Sequence, residues 1–103
     1  MKFEIDQPDF ESGEFRISYE RIRAYRRGEP LKLRPKELQL LEVFLHNRGK
    51  ILTREYLANH LAKGGAMDQK TIDVHIMRLR KNLRLRRWRN PISTIRDVGY
   101  KLD

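Results

Sequence analysis

The sequence predicts an α+β domain in which an N-terminal antiparallel sheet precedes three helices and a C-terminal β-hairpin closes the chain. Three observations predict it. Apolar residues recur with period two up to about residue 33, with helical period from about 35 to 84, and with strand character again from 92. Each helical stretch carries its own start or stop signals. Basic side chains gather late, residues 69–103 holding ten of them against three acidic ones.

Taken in order, residues 1–13 read as a connector, acidic from Asp6 to Glu14, or as one that supplies a first strand through Phe3 and Ile5. The folded domain then covers 14–103. Phe15, Ile17 and Tyr19 alternate with Arg16 and Ser18, and Ile22, Ala24 and Arg26 repeat the pattern, which gives each strand one inward face. Arg27-Gly28-Glu29-Pro30 is a turn leading to Leu31 and Leu33.

Pro35 suits the first position of a helix, and Glu37 meets the positive end of its dipole. Leu38, Leu40, Leu41, Phe44 and Leu45 make its apolar face, and Gly49 stops it after about residue 47. Lys50-Ile51-Leu52 is long enough only for a bridging strand. Thr53 caps a second helix with Tyr56, Leu57 and Leu61 turned inward, and Lys63-Gly64-Gly65-Ala66 breaks it.

Asp68 caps the third helix, residues 69–84. At about 100° per residue, Ile76, Leu79 and Leu83 fall within about 40° of Ile72 and form a buried stripe. The opposite arc holds Lys70, Thr71, Val74, Met77, Arg78 and Lys81 and no carboxylate, since Asp73 lies nearer the flank beside Arg80. Solvated helix faces usually mix charge signs; this one is cationic with small apolar members, suited to phosphates and base edges together. Arg84, Arg86, Arg87 and Arg89 then surround Trp88, which reads as an anchor for the loop. Ile92–Arg96 and Tyr100–Leu102, joined at Asp97-Val98-Gly99, form the hairpin.

The chain has 103 residues, 23 Lys and Arg against 14 Asp and Glu, a formal charge of +9 and no cysteine. That is one domain, with a polyanion as the expected partner. The absence of thiols suits a reducing compartment, the cytoplasm by default, and excludes cysteine-ligated zinc. No apolar run is long enough to span a bilayer. Neither a nucleophile elbow nor a phosphate-cradling glycine loop is present, and His46, His60 and His75 lack partners at metal spacing. The chain therefore reads as a non-enzyme without metal or cofactor.

Sheet, three helices and closing hairpin, with the most basic helix third, describe a winged helix-turn-helix: the third helix enters a major groove and the hairpin, residues 92–102, reaches the neighbouring backbone or minor groove. Over about Phe15 to Leu102 the sequence resembles the OmpR/PhoB-type DNA-binding domain of bacterial response regulators. The resemblance rests on Gly28-Glu29-Pro30-Leu31, Lys36-Glu37-Leu38-Gln39-Leu40-Leu41, Thr53-Arg54-Glu55-Tyr56-Leu57, the run Thr71 to Lys81, and Ile92 to Tyr100.

That resemblance implies a transcription regulator of a two-component system that binds double-stranded DNA as a homodimer on tandem half-sites. It also implies a separate N-terminal receiver domain, so the chain reads as an effector half. By the same resemblance, Val74, Met77 and Arg78 read bases, Lys70, Thr71, His75, Arg80, Lys81 and Thr94 contact the backbone, and Arg96 enters the minor groove. Residues 63–68 would face RNA polymerase. Two departures stand out: relatives often have arginine where Met77 stands, and Asp97 replaces the first glycine of the usual hairpin turn. Asp tolerates a left-handed backbone, but its carboxylate lies where phosphates approach.

The alternative is a small basic RNA-binding protein of ribosomal type. Such proteins display aromatics on an open sheet or carry basic tails, whereas the aromatics here fall mostly at core positions.

Overall fold

The computed structural model describes residues 7–61, 67–84 and 89–103. Phe3, Ile5, the Lys63–Ala66 breaker and Trp88 lie outside them. The described elements run β1 (Phe10–Ser12), β2 (Phe15–Ser18), β3 (Arg23–Arg26), β4 (Glu29–Pro30), α1 (Pro35–His46), β5 (Ile51–Thr53), α2 (Arg54–Leu61), α3 (Gln69–Leu83), β6 (Ile92–Ile95) and β7 (Gly99–Leu102). This is the winged helix-turn-helix that the hydrophobic pattern predicts.

Strands β1 to β4 form an antiparallel meander in chain order. Its first strand comes from Phe10–Ser12, inside the segment that reads as connector, and pairs Phe10 with Ile17 and Ser12 with Phe15. Arg27 and Gly28, at φ 51 and 82°, turn β3 back as β4. Two successive left-handed residues give the turn twist that suits a tight hairpin.

The expected inward position of Ile22 is overturned. Ser18 pairs with Arg23, so Ile22 belongs to the intervening turn, at φ 52° and well exposed. Ala24 and Arg26 keep the alternation, and Arg26 is buried for a specific reason. Its guanidinium pairs with Glu14 and donates to the carbonyls of Leu83 (2.5 Å) and Arg89 (2.8 Å). The sheet thereby caps the C-terminus of α3, supplying a cation where the dipole is negative.

Helix α1 begins on Pro35 after Arg34, which makes no side-chain cap, and ends at His46 with Asn47 as its C-cap, before Gly49 turns left-handed. Lys36 donates to the Leu61 carbonyl at the end of α2 (2.9 Å). Thr53 ends β5 and caps α2, its hydroxyl accepting from the Tyr56 amide at 3.0 Å. Leu57 and Leu61 are buried, but Tyr56 faces outward at 41% exposure, its ring beside His60. An eight-residue helix has room for only a narrow inward stripe, and Ala58 fills the adjoining place.

Strand β5 pairs with β7, and β7 with β6, so the terminal hairpin is built onto a strand lying between α1 and α2. Asp97 sits at φ 63°, the left-handed conformation that its position in the turn requires. Gly99 packs so closely on β5 that a Cβ there would strike the Leu52 carbonyl oxygen and lie 2.8 Å from Thr53 Cα. Gly99→Ala is expected to lower unfolding free energy by about 3 kcal/mol in urea titration, because backbone atoms would have to yield.

Candidate nucleic-acid interface

The face of α3 is fixed by what it buries. Ile72, Ile76, Leu79 and Leu83 are 0–1% exposed, while Lys70, Val74, Met77, Arg78 and Lys81 are exposed. Met77 and Val74, at 61% and 40%, are large apolar side chains left in solvent on a cationic helix. Asp68 caps the helix, accepting from the Thr71 amide (2.8 Å) and the Thr71 hydroxyl (2.9 Å). The Thr71 amide bond is the chief reason that the Asp68 carboxyl titrates below its ordinary value.

Asp73 is the acid within the helix, and three neighbours absorb it. Its Oδ1 accepts from Arg54 Nε at 2.8 Å and from the Tyr100 hydroxyl at 2.5 Å. Partial burial alone would raise its pKa; the bonds from Tyr100 and Arg54 and the charges of Arg54 and Arg80 outweigh this and hold it below the usual carboxylate range. The Tyr100 hydroxyl is pushed up in turn, by burial first and then by Asp73. Arg54 is held all the more firmly in its charged form by the Asp73 bond.

Arg80 leans toward the hairpin. Nε donates to the Ile92 carbonyl (3.2 Å), Nη2 to Thr94 Oγ1 (2.5 Å), and the guanidinium carbon lies 5.1 Å from the Tyr100 ring centroid. His75 is half-buried near Lys36 and Glu37 of α1, with Nδ1 buried and lacking a protein partner. Burial first, and then the charge of Arg78, hold its pKa below the ordinary histidine value. Glu37 is fully buried in the first turn of α1, where Asn82 of α3 donates to it at 3.0 Å.

Of the ten residues singled out in the sequence, Val74, Met77, Arg78, Lys70, Lys81, Thr94 and Arg96 are therefore exposed. Thr71, His75 and Arg80 are partly buried, Thr71 and Arg80 in hydrogen bonds to the protein itself. A groove of about 480 Å³ runs beside α3, lined by Asp73, Met77, Arg80, Lys81, Arg84 and Asn90. Arg84 and Asn90 were not among those ten. Arg84 belongs to the arginine cluster, but nothing local separates it from its neighbours there. Arg54 was missed too, since its partner is 19 residues away.

Residues 28–102 match the family model for the C-terminal domain of transcriptional regulatory proteins. The sensory transduction protein RegX3 of Mycolicibacterium smegmatis is 38% identical over 101 residues, 95% of this chain and 44% of its own length. The chain thus spans less than half of that relative. Among solved structures, the DNA-binding domain of Escherichia coli CadC superimposes with a TM-score of 0.81 at 28% identity, covering 94% of this chain and 92% of that one. The Klebsiella pneumoniae RstA DNA-binding domain, solved in complex with its RstA box, gives 0.76 at 26%, covering 93% and 97%.

The Asp73 cluster has a pH signature. A carboxyl held low in the folded state contributes stability that is complete above the unfolded value of about 3.9 and is lost as pH falls through the lower folded value. Urea unfolding of wild type and Asp73→Asn should therefore differ most at neutral pH and converge in acid.

Proposed function

The chain belongs to the family of OmpR/PhoB-type C-terminal domains of transcriptional regulatory proteins, and from that membership we propose that it binds double-stranded DNA sequence-specifically to control transcription. Helix α3 lies in the major groove and the β6–β7 hairpin, the wing, crosses to the adjacent backbone and minor groove. One observation carries the reading: the outward face of α3 presents Lys70, Arg78 and Lys81 around Val74 and Met77, while its acid, Asp73, is consumed by Arg54 and Tyr100. A carboxylate left facing outward would repel the phosphates; this one does not face outward alone.

The roles follow from side-chain chemistry. Arg78 offers a planar fork to the O6 and N7 of guanine, and Val74 and Met77 offer apolar surface to a thymine methyl. Lys70 and Lys81 neutralise phosphates and set position without reading sequence. Arg84 extends that track along the groove that it lines with Lys81. Arg96, exposed near the tip of the wing, enters a narrow minor groove, where negative potential is concentrated. His75, half-buried against α1, and Thr71, whose hydroxyl donates to Asp68, contribute more through helix geometry than through direct contact.

The family's regulators supply the remaining proposals: a homodimer on tandem half-sites, an effector half working in the cytoplasm with a phosphoacceptor receiver domain, and an RNA polymerase contact at residues 63–68, of which 63–66 lie outside the described residues. RNA binding is the weaker reading, because Phe15, Tyr19, Phe44 and Tyr100 are buried, and the described residues form no open aromatic platform of the kind single strands stack on.

Selection of duplexes from random DNA by this chain should return a motif repeated about one helical turn apart. On that duplex Arg78→Ala is expected to cost about 1 to 3 kcal/mol and to relax preference at one base pair, read by titration against single-base variants. Lys81→Ala should weaken cognate and scrambled duplex alike and reduce the salt slope by about one. Equal losses on both duplexes for Arg78→Ala would contradict base reading. Asp97→Gly should tighten binding to both, because it removes an exposed carboxylate from the wing tip and suits the left-handed backbone there; unchanged affinity would show that the tip stays clear of phosphates.

A further inference from the structure

The wing is fastened to α3 around Tyr100 and its strand partner Thr94. Thr94 of β6 and Tyr100 of β7 are directly paired partners, so a group that holds both holds both strands of the hairpin. Arg80 does so: it bonds the Ile92 carbonyl and the Thr94 hydroxyl while its guanidinium lies over the Tyr100 ring. The guanidinium carbon of Arg54 in α2 lies 5.2 Å from the centroid of the same ring, and Asp73 of α3 accepts hydrogen bonds from the Tyr100 hydroxyl and from Arg54 Nε. Side chains from α2, α3 and both strands of the wing thus meet at Tyr100.

Resting on the DNA-binding reading, we propose that Arg80 is a positioning residue that sets the angle of the wing against α3, and that Thr94, not Arg80, touches the phosphate. The hydroxyl chemistry supports this division. Thr94 Oγ1 accepts from Arg80, which directs its own proton away from the guanidinium, and the residue is exposed. An oriented O–H on a fixed strand is a good donor to a phosphate oxygen. The guanidinium that orients it has its Nε and Nη2 donors engaged within the protein.

The two roles differ in their salt dependence and in what lysine can replace. A cation seated on a phosphate releases counterions and contributes about 0.9 to the slope of log affinity against log salt. A positioning guanidinium contributes nothing to that slope, and a lysine at its place cannot reproduce a two-donor fork. The experiment titrates wild type, Arg80→Ala, Arg80→Lys, Thr94→Val and Arg80→Ala/Thr94→Val, with circular dichroism to verify folding. The probe is a duplex selected by the wild-type chain, across a series of salt concentrations.

The expected result is about a tenfold loss for both Arg80 variants, an unchanged slope, and a double variant little worse than the worse single one. Arg80→Lys keeps the charge and most of the stem, so it supplies the test should Arg80→Ala fail to fold. Near-wild-type affinity in Arg80→Lys, or a slope lowered by about one in Arg80→Ala with losses that add to those of Thr94→Val, overturns the proposal. Failure of the wild-type chain to bind any duplex overturns instead the DNA reading on which it rests.

Discussion

Burial of one stripe on α3 governs the rest of the molecule. Ile72, Ile76, Leu79 and Leu83 lie in a continuous core with Leu38, Leu41 and Phe44 of α1 and Leu57 and Leu61 of α2. Each such side chain gains about 1.5 to 3 kcal/mol by leaving water. Turning the helix far enough to bring Arg78 inward would bring several of the four out, so the helix has one orientation. The cationic face is outward because the apolar one has nowhere else to go.

An outward face is useful to a polyanion only if acids nearby are kept from it. Asp73 is gathered in by Arg54 and Tyr100, Asp68 is spent on the first turn of α3, and Glu37 is buried against Asn82. None of these carboxylates is removed; each is given an internal partner. The same bonds stiffen the domain, so electrostatic preparation of the surface and attachment of the wing are one piece of chemistry.

The N-terminal sheet serves the same end from the far side. Arg26 crosses from β3 to the end of α3, and Arg48 binds the Ser12 carbonyl at 3.0 Å and the carbonyl of Asp103, joining β1 to the chain's last residue. The Tyr19 hydroxyl donates a hydrogen bond to Glu42 of α1 at 2.5 Å. The sheet is thereby tied to the C-terminal end of α3, to the residue that follows β7 and to α1.

Much of this was legible in the sequence: the buried stripe of α3, the caps at Thr53 and Asp68, the bridging strand and the terminal hairpin all follow from spacings of a few residues, the range over which backbone geometry repeats. The sequence also showed that the outer arc of α3 lacks an acid. It did not show that Phe10–Ser12 is a strand, that Ile22 and Tyr56 face solvent, or that Arg80 is turned to the wing. Those outcomes depend on partners that the fold brings together: Arg54 meets Asp73 across 19 positions, Tyr100 meets it across 27, and Arg80 meets Thr94 across 14. Local periodicity fixes which way a side chain leaves its helix, whereas the group waiting for it is decided only when distant elements pack.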